Sequence, residues 1–227
     1  MSAILYLEGG ASGADSKELQ IRCRQGFRRL LEECGYKRRM PRLFACGSRG
    51  AAFGDFKIGF AQKAAGDYVA MWMDSEDPLK DIEAAWTHLK HRDNWMQPAG
   101  ATEDQVLFMT TCMETWIVAD HAALTDHYGA KLQISTLPPL VKLENRERHD
   151  VQDRLAHATR DCTNAYTKGK RSFEILAKLR PEALGKHLRE RPCLPYLSTM
   201  IRRSRELGSA AMRIAFLRST SAAICVG

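Results

Sequence analysis

Four short runs of apolar, branched and aromatic residues, each followed by a stretch with helical spacing, set the strongest limit on how this chain folds. They are AILYL (3–7), RLFAC (42–46), YVAMWM (68–73) and VLFMTT (106–111). Each has the length and the composition of a buried strand. After the first, Leu19, Cys23, Phe27, Leu30, Leu31 and Cys34 recur at helical spacing up to Gly35, with Asp15 and Glu18 placed as a capping box. Phe53, Phe56 and Phe60 give a second helix, reaching about residue 65, an apolar face. Pro78 opens a third over 79–90, with Ile82, Ala85, Trp86 and Leu89 inward. A polar connector over 93–104 leads to the fourth strand, and a fourth helix spans 113–128 and stops at Gly129. Strands that alternate with helices require crossover connections. The expected fold is therefore α/β, a mainly parallel sheet flanked by helices.

The character changes past residue 130. Leu137-Pro138-Pro139-Leu140 is a break, and helical patterns follow over 150–160, 171–179, 181–191 and 195–207. The last stretch, MRIAFLRSTSAAICVG, fits either a final strand or a tail. The expected organisation is an α/β domain over 1–130 and a C-terminal helical extension over 131–227 packed on it. A chain of 227 residues suits one main domain with such an appendage.

With 44% apolar and 27% charged residues, the composition excludes disorder and fibrous repeats. The chain lacks any apolar run of membrane-spanning length. MSAILYLEGG lacks the basic start and long apolar stretch of a secretory signal, so a cytoplasmic location is expected. Seven cysteines without a C-x-x-C pair fit reduced thiols rather than a sulfur-ligated metal. The net charge of +7 tolerates an anionic partner such as nucleic acid, and many housekeeping domains carry a similar charge.

The positions of the acids are more informative. Glu8 follows the first strand, Asp74 the third, and Glu114 lies just beyond the fourth; Ser75-Glu76-Asp77 adds two further acids on a tight turn. In an open α/β sheet, ligands gather outside the carboxyl ends of the strands, which brings Glu8 and Asp74 to one edge. Clustered carboxylates resist ionisation unless a cation neutralises them. Oxygen-only clusters suit Mg²⁺ or Mn²⁺, which can activate water and steady the leaving oxygen of a phosphodiester. Taken singly, each acid has a plain alternative, since an acidic run before a proline is also an ordinary solvated helix start.

Other motifs carry less. The glycines of EGGASG lack the spacing and lysine of a nucleotide-binding loop. His88, His91, His121 and His127 lack the H-E-x-x-H form and read as surface or capping residues. Tyr166-Thr167-Lys168-Gly169-Lys170-Arg171 gathers three cations and an aromatic beside a helix start, a group that can hold phosphates or steady developing charge. Arg202, Arg203 and Arg205 form a second basic cluster, which reads better as a solvated face.

These residues resemble the Toprim-like proteins, the fold shared by topoisomerases, bacterial primases and nucleases of the overcoming-lysogenization-defect class. The similarity is closest to a small bacterial Toprim-like family of unknown function often found beside an ABC-type ATPase. It rests on Glu8-Gly9-Gly10 after a strand, Asp74-Ser75-Glu76-Asp77 after another, Met113-Glu114-Thr115-Trp116-Ile117-Val118-Ala119-Asp120, and Tyr166 to Lys170 before Phe173, and spans roughly residues 3 to 200. The resemblance implies a metal-dependent nuclease that cuts or nicks DNA or RNA, working with a partner ATPase in defence against phage. Glu8 would be the catalytic acid or base or would contact the metal, Asp74 with Glu76 or Asp77 would be the ligands of Mg²⁺ or Mn²⁺, and Lys168 the residue beside the scissile phosphate. Lys168, Lys170 and Arg171 would hold the nucleic acid. Glu114 would be a second-metal ligand, or would instead pin its helix to the sheet with Trp116 and Asp120. Glu76, where the family pattern has an aspartate, leaves open the alternative of an inactive, Toprim-shaped regulatory subunit.

Overall fold

The computed structural model describes residues 2–9 and 16–188. Gly10, Asp15 of the expected capping box, the expected helix over 195–207, the end of the one over 181–191, the second basic cluster and the closing stretch lie outside the described residues, as does the side chain of Lys170. No helix among the described residues is long and apolar enough to cross a membrane.

The four apolar runs form the strands β1 (Ala3–Leu7), β2 (Arg42–Ala45), β3 (Tyr68–Asp74) and β4 (Val106–Met109). They pair in the order β2-β1-β3-β4, every pair parallel. The molecule is therefore α/β, with a parallel sheet flanked by helices, an architecture consistent with a Toprim-like fold. Connecting them are α1 (Ser16–Leu31), α2 (Arg49–Ala61) and α3 (Ala85–Asp93). After β4 come α4 (Met113–Ala119), α5 (His121–Tyr128), α6 (Arg148–Thr159), α7 (Lys170–Leu176) and α8 (Pro181–His187).

Alternation along each strand sends side chains to opposite faces of the sheet. Leu5, Leu7, Ala70, Trp72, Leu107 and Met109 meet α1 and the helices after β4, with Phe27, Ile117, Leu155 and Ile175 in the same core. Val69, Met71, Met73, Val106 and Phe108 meet Phe53, Phe56, Trp86 and Leu89 of α2 and α3 on the other. Covered on both faces, β3 is buried along its whole length, which is why its sequence reads as a continuous apolar run. The helices after residue 131 belong to the first of these cores, where α6 and α7 pack on α4, and α7 also on α1.

Two helices depart from the periodicity. The helix expected over 79–90 begins only at Ala85. Asp81 Oδ1 accepts from the Glu83 amide at 2.9 Å, a local turn that competes with helix. Glu103 then takes the Trp86 amide and the Thr102 carbonyl takes the indole N–H, each at 2.9 Å, fixing the start by contacts sixteen or seventeen residues away. The single helix expected over 113–128 breaks at Asp120, whose carboxylate caps α5 through the Ala123 amide at 3.0 Å. Gly9 sits at φ +152, and a Cβ there would lie 2.6 Å from the Cys23 sulfur, so α1 closes onto the end of β1 only because this residue lacks a side chain.

Candidate functional site

The strand order reverses between β1 and β3: the connection from β1 goes to one side and the chain then returns past it. Such a switch point opens a crevice at the carboxyl edge of the sheet. Register places Leu7 beside Trp72, so Glu8 and Asp74 leave adjacent strands at this crevice. The Glu8 amide donates to the Trp72 carbonyl at 2.9 Å, and the Asp74 amide donates to Glu8 Oε2 at 3.3 Å. The two acids at the heart of the sequence argument are thus neighbours.

Asp74 is buried, and its Oδ1 has no hydrogen-bond partner. Burial pushes its carboxyl well above the usual carboxylate range, Glu8 and Glu114 push it further, and Lys168 and the Met113 amide pull it back. Glu8 is also raised by burial, against the pull of Arg49, the Asp74 amide and Lys168. Lys168 is exposed on the loop before α7, yet its charge reaches both acids. Glu8, Asp74, Glu114 and Lys168, spread over 160 positions of sequence, therefore share one electrostatic environment.

The other acids are differently engaged. Glu76 adopts φ +71 and pairs with Arg92 at 3.0 Å and with Arg148 of α6, while Asp77 pairs with Arg92 at 3.0 Å. Both are drawn to the α3 and α6 side of the crevice. Glu114 is buried; it accepts from Tyr166 Oη and, at 3.1 Å, from Gln152. Tyr166 Oη also meets Ser172 Oγ at 2.7 Å, which in turn accepts from the Gly169 amide at 3.1 Å. This chain ties the loop bearing Lys168 to α4. Arg171 is held by Glu174 at 2.9 Å along α7. Among the described residues, no group of three or more His, Cys, Asp or Glu side chains is arranged to hold a metal ion. Glu8 and Asp74 make a two-carboxylate set, which is the number Mg²⁺ commonly takes from protein while water and phosphate oxygens complete its shell.

Asp120, the last residue of the M-E-x-W-x-x-A-D segment, serves the fold. It accepts from the Arg180 amide at 2.9 Å and from Arg180 Nε at 3.0 Å, besides capping α5. Trp116 meets Trp72 edge-on with ring centres 5.8 Å apart.

Sequence reasoning passed over Arg49. It begins α2 behind the Ser48 cap and donates to the Asp74 carbonyl and, at 3.4 Å, to Glu8 Oε2, while Asp93 braces it from behind. Its signal was its place directly after the second strand in Gly47-Ser48-Arg49, at the same edge as the acids. Arg92 and Arg148 gave no such signal, since helix faces are commonly charged.

No curated protein and no solved structure matches the chain. A family model does match, over residues 21–190, a span that takes in Asp74, Glu114 and Lys168 and begins after Glu8. The chain accordingly belongs to DUF4276, a family described as a domain of unknown function.

Proposed function

We propose that the protein is a Mg²⁺- or Mn²⁺-dependent phosphodiester hydrolase, a Toprim-like nuclease whose cation is held by Glu8 and Asp74. The observation that carries this is the buried Asp74 carboxylate, one oxygen without a partner, beside a second carboxylate at the switch point of the sheet. A buried, unsatisfied carboxylate is costly to ionise, and a divalent cation offsets that cost where a proton would otherwise. The cation would supply an activated water and charge neutralisation at the phosphate.

The chain's own groups suit the remaining tasks. Glu8, fixed by the Asp74 amide and by Arg49, would present its carboxylate to the cation. Lys168, whose charge reaches both acids, would lie over a phosphate bound there and offset its developing negative charge. Lys170 and Arg171 follow on the same segment and would extend the contact along a nucleic-acid backbone. Glu114, tied to Tyr166 and Gln152, would act from behind by fixing the Lys168 loop and adding negative potential at Asp74. Glu76 and Asp77 are assigned to the rim, since Arg92 and Arg148 already take their charge. The Toprim resemblance adds the setting, an effector subunit in anti-phage defence with an ABC-type ATPase as partner.

The same ion pairs on Glu76 favour a second reading, a regulatory subunit that has lost its cation. Mn²⁺ titration followed by plasmid DNA and RNA cleavage separates the two. The hydrolase reading expects saturable Mn²⁺ binding and cleavage by the wild type, both lost in Asp74→Asn. Equal behaviour of the two proteins removes the acids from the mechanism.

A further inference from the structure

Arg49 is held in an unusual way for a residue beside two acids. Its Nε and Nη2 fork onto the two oxygens of Asp93 at 3.1 and 2.8 Å, and its guanidinium lies 5.3 Å from the centre of the Trp95 ring. Asp93 is fixed in turn by Arg92 Nη1 at 2.6 Å, and Arg92 is anchored on Glu76 and Asp77. This brace leaves Nη1 to reach into the crevice, where it meets the Asp74 carbonyl and Glu8 Oε2. The bond to Glu8, at 3.4 Å, is long for a charge-assisted pair, whereas those to Asp93 are of ordinary length.

A divalent cation on the Glu8 and Asp74 carboxylates would share Glu8 with the Nη1 that now faces its Oε2. Like charges compete for one carboxylate, and the longer, weaker bond is the one given up. Because Asp93 and Trp95 keep hold of the guanidinium, Nη1 stays at the crevice after losing Glu8. It is then an N–H donor without its carboxylate, set beside the place where phosphate oxygens would meet the cation. Arginine suits this change of partner, since its planar fork can clamp one carboxylate and still present a further nitrogen.

We infer that Arg49 is an exchangeable counter-ion of Glu8: it is displaced by the divalent cation and then binds the phosphate of the substrate, with Asp93 as its positioning residue. This rests on the hydrolase reading above. Its consequence is a pair of effects of opposite sign. Removing Arg49 strengthens cation binding, because a competitor is gone, and weakens binding of the phosphodiester.

The test is calorimetric titration of the full chain with Mn²⁺, beside anisotropy of a labelled single-stranded oligonucleotide, DNA and RNA in separate arms, at saturating Mn²⁺. Arg49→Met is expected to bind Mn²⁺ about fivefold or more tightly than the wild type, a typical size for coupling between neighbouring sites. Its oligonucleotide binding is expected to fall by about tenfold, as for loss of one charge-assisted contact. Arg49→Lys keeps the charge and the aliphatic stem over Trp95 but cannot hold Asp93 and reach Glu8 together, so it too should bind the oligonucleotide weakly. It carries the test should Arg49→Met melt early. Mn²⁺ affinity that is unchanged or weaker in folded Arg49→Met, or oligonucleotide binding undiminished in folded Arg49→Lys, overturns the inference while leaving the hydrolase reading intact. No Mn²⁺ binding by the wild type removes that reading itself, and the exchange with it.

Discussion

The amide that begins the Asp74 turn donates to the Glu8 carboxylate across 3.3 Å, so the acid closing one central strand is hydrogen-bonded to the backbone of the acid closing the next. Parallel pairing and a reversal of strand order put them there, and neither residue needs the other nearby in sequence. The arrangement concentrates negative charge where burial makes it expensive, and several consequences can be measured.

The first concerns pH. A carboxyl whose folded pKa is raised, as for Asp74 and Glu8, binds its proton more tightly in the folded state. Its stabilising contribution is complete below the ordinary carboxylate range and is lost as pH climbs through the raised value. Without added metal, the wild-type melting temperature should fall relative to that of Asp74→Asn as pH rises above the ordinary carboxylate range. A shift of roughly 2–4 °C per kcal/mol is expected for a chain of this length. Mn²⁺ should restore the wild type and leave Asp74→Asn unmoved. Parallel pH profiles for the two proteins would show that Asp74 is not the strained group.

The acids of the turn should behave unlike one another. Glu76 is satisfied by Arg92 and Arg148, whereas Asp74 Oδ1 has no partner. Glu76→Gln should therefore retain most Mn²⁺ affinity in a titration that Asp74→Asn abolishes. Equal losses would place Glu76 among the ligands.

The tie between Tyr166 and Glu114 predicts a stability effect that reaches the crevice. Tyr166→Phe removes a buried donor from a carboxylate and leaves Ser172 short of a partner, at a cost of about 1–3 kcal/mol in urea unfolding. Because the same loop carries Lys168, cleavage should fall more than the fraction unfolded explains. Activity that tracks the folded fraction alone would confine Tyr166 to the core.

Asp120 should matter to folding and not to cleavage. Burial by itself would raise its carboxyl, but hydrogen bonds from Arg180 and the Ala123 amide hold it below the usual range. Its contribution is then present at neutral pH and lost as pH falls through the lowered value. Asp120→Ala is expected to cost about 1–2 kcal/mol at pH 7, mainly from the lost helix cap because Arg180 is half exposed, and less in acid. A cost that does not depend on pH would argue against the ion pair.

What could be read along the chain followed from periodicity. β1 and β3 begin where their apolar runs begin, and Pro181, a residue suited to a helix's first turn, opens α8. The late start of α3 was hidden because Glu103 and Thr102, which anchor Trp86, arrive from the far side of a connector. The break at Asp120 was hidden because Arg180, which holds that carboxylate, lies sixty positions away. Glu8 and Asp74 were legible together through a rule about strand ends, whereas Arg49 needed the braced geometry that Asp93 imposes.

By itself the sequence determined the alternation of strand and helix and the placing of acids at strand ends, since both depend on residue type and local spacing. Only the tertiary structure decided which acids share the crevice, which are spent on arginines, and which cation faces Glu8. Those outcomes depend on burial and on contacts between distant segments, where a few ångströms separate a carboxylate with a partner from one without.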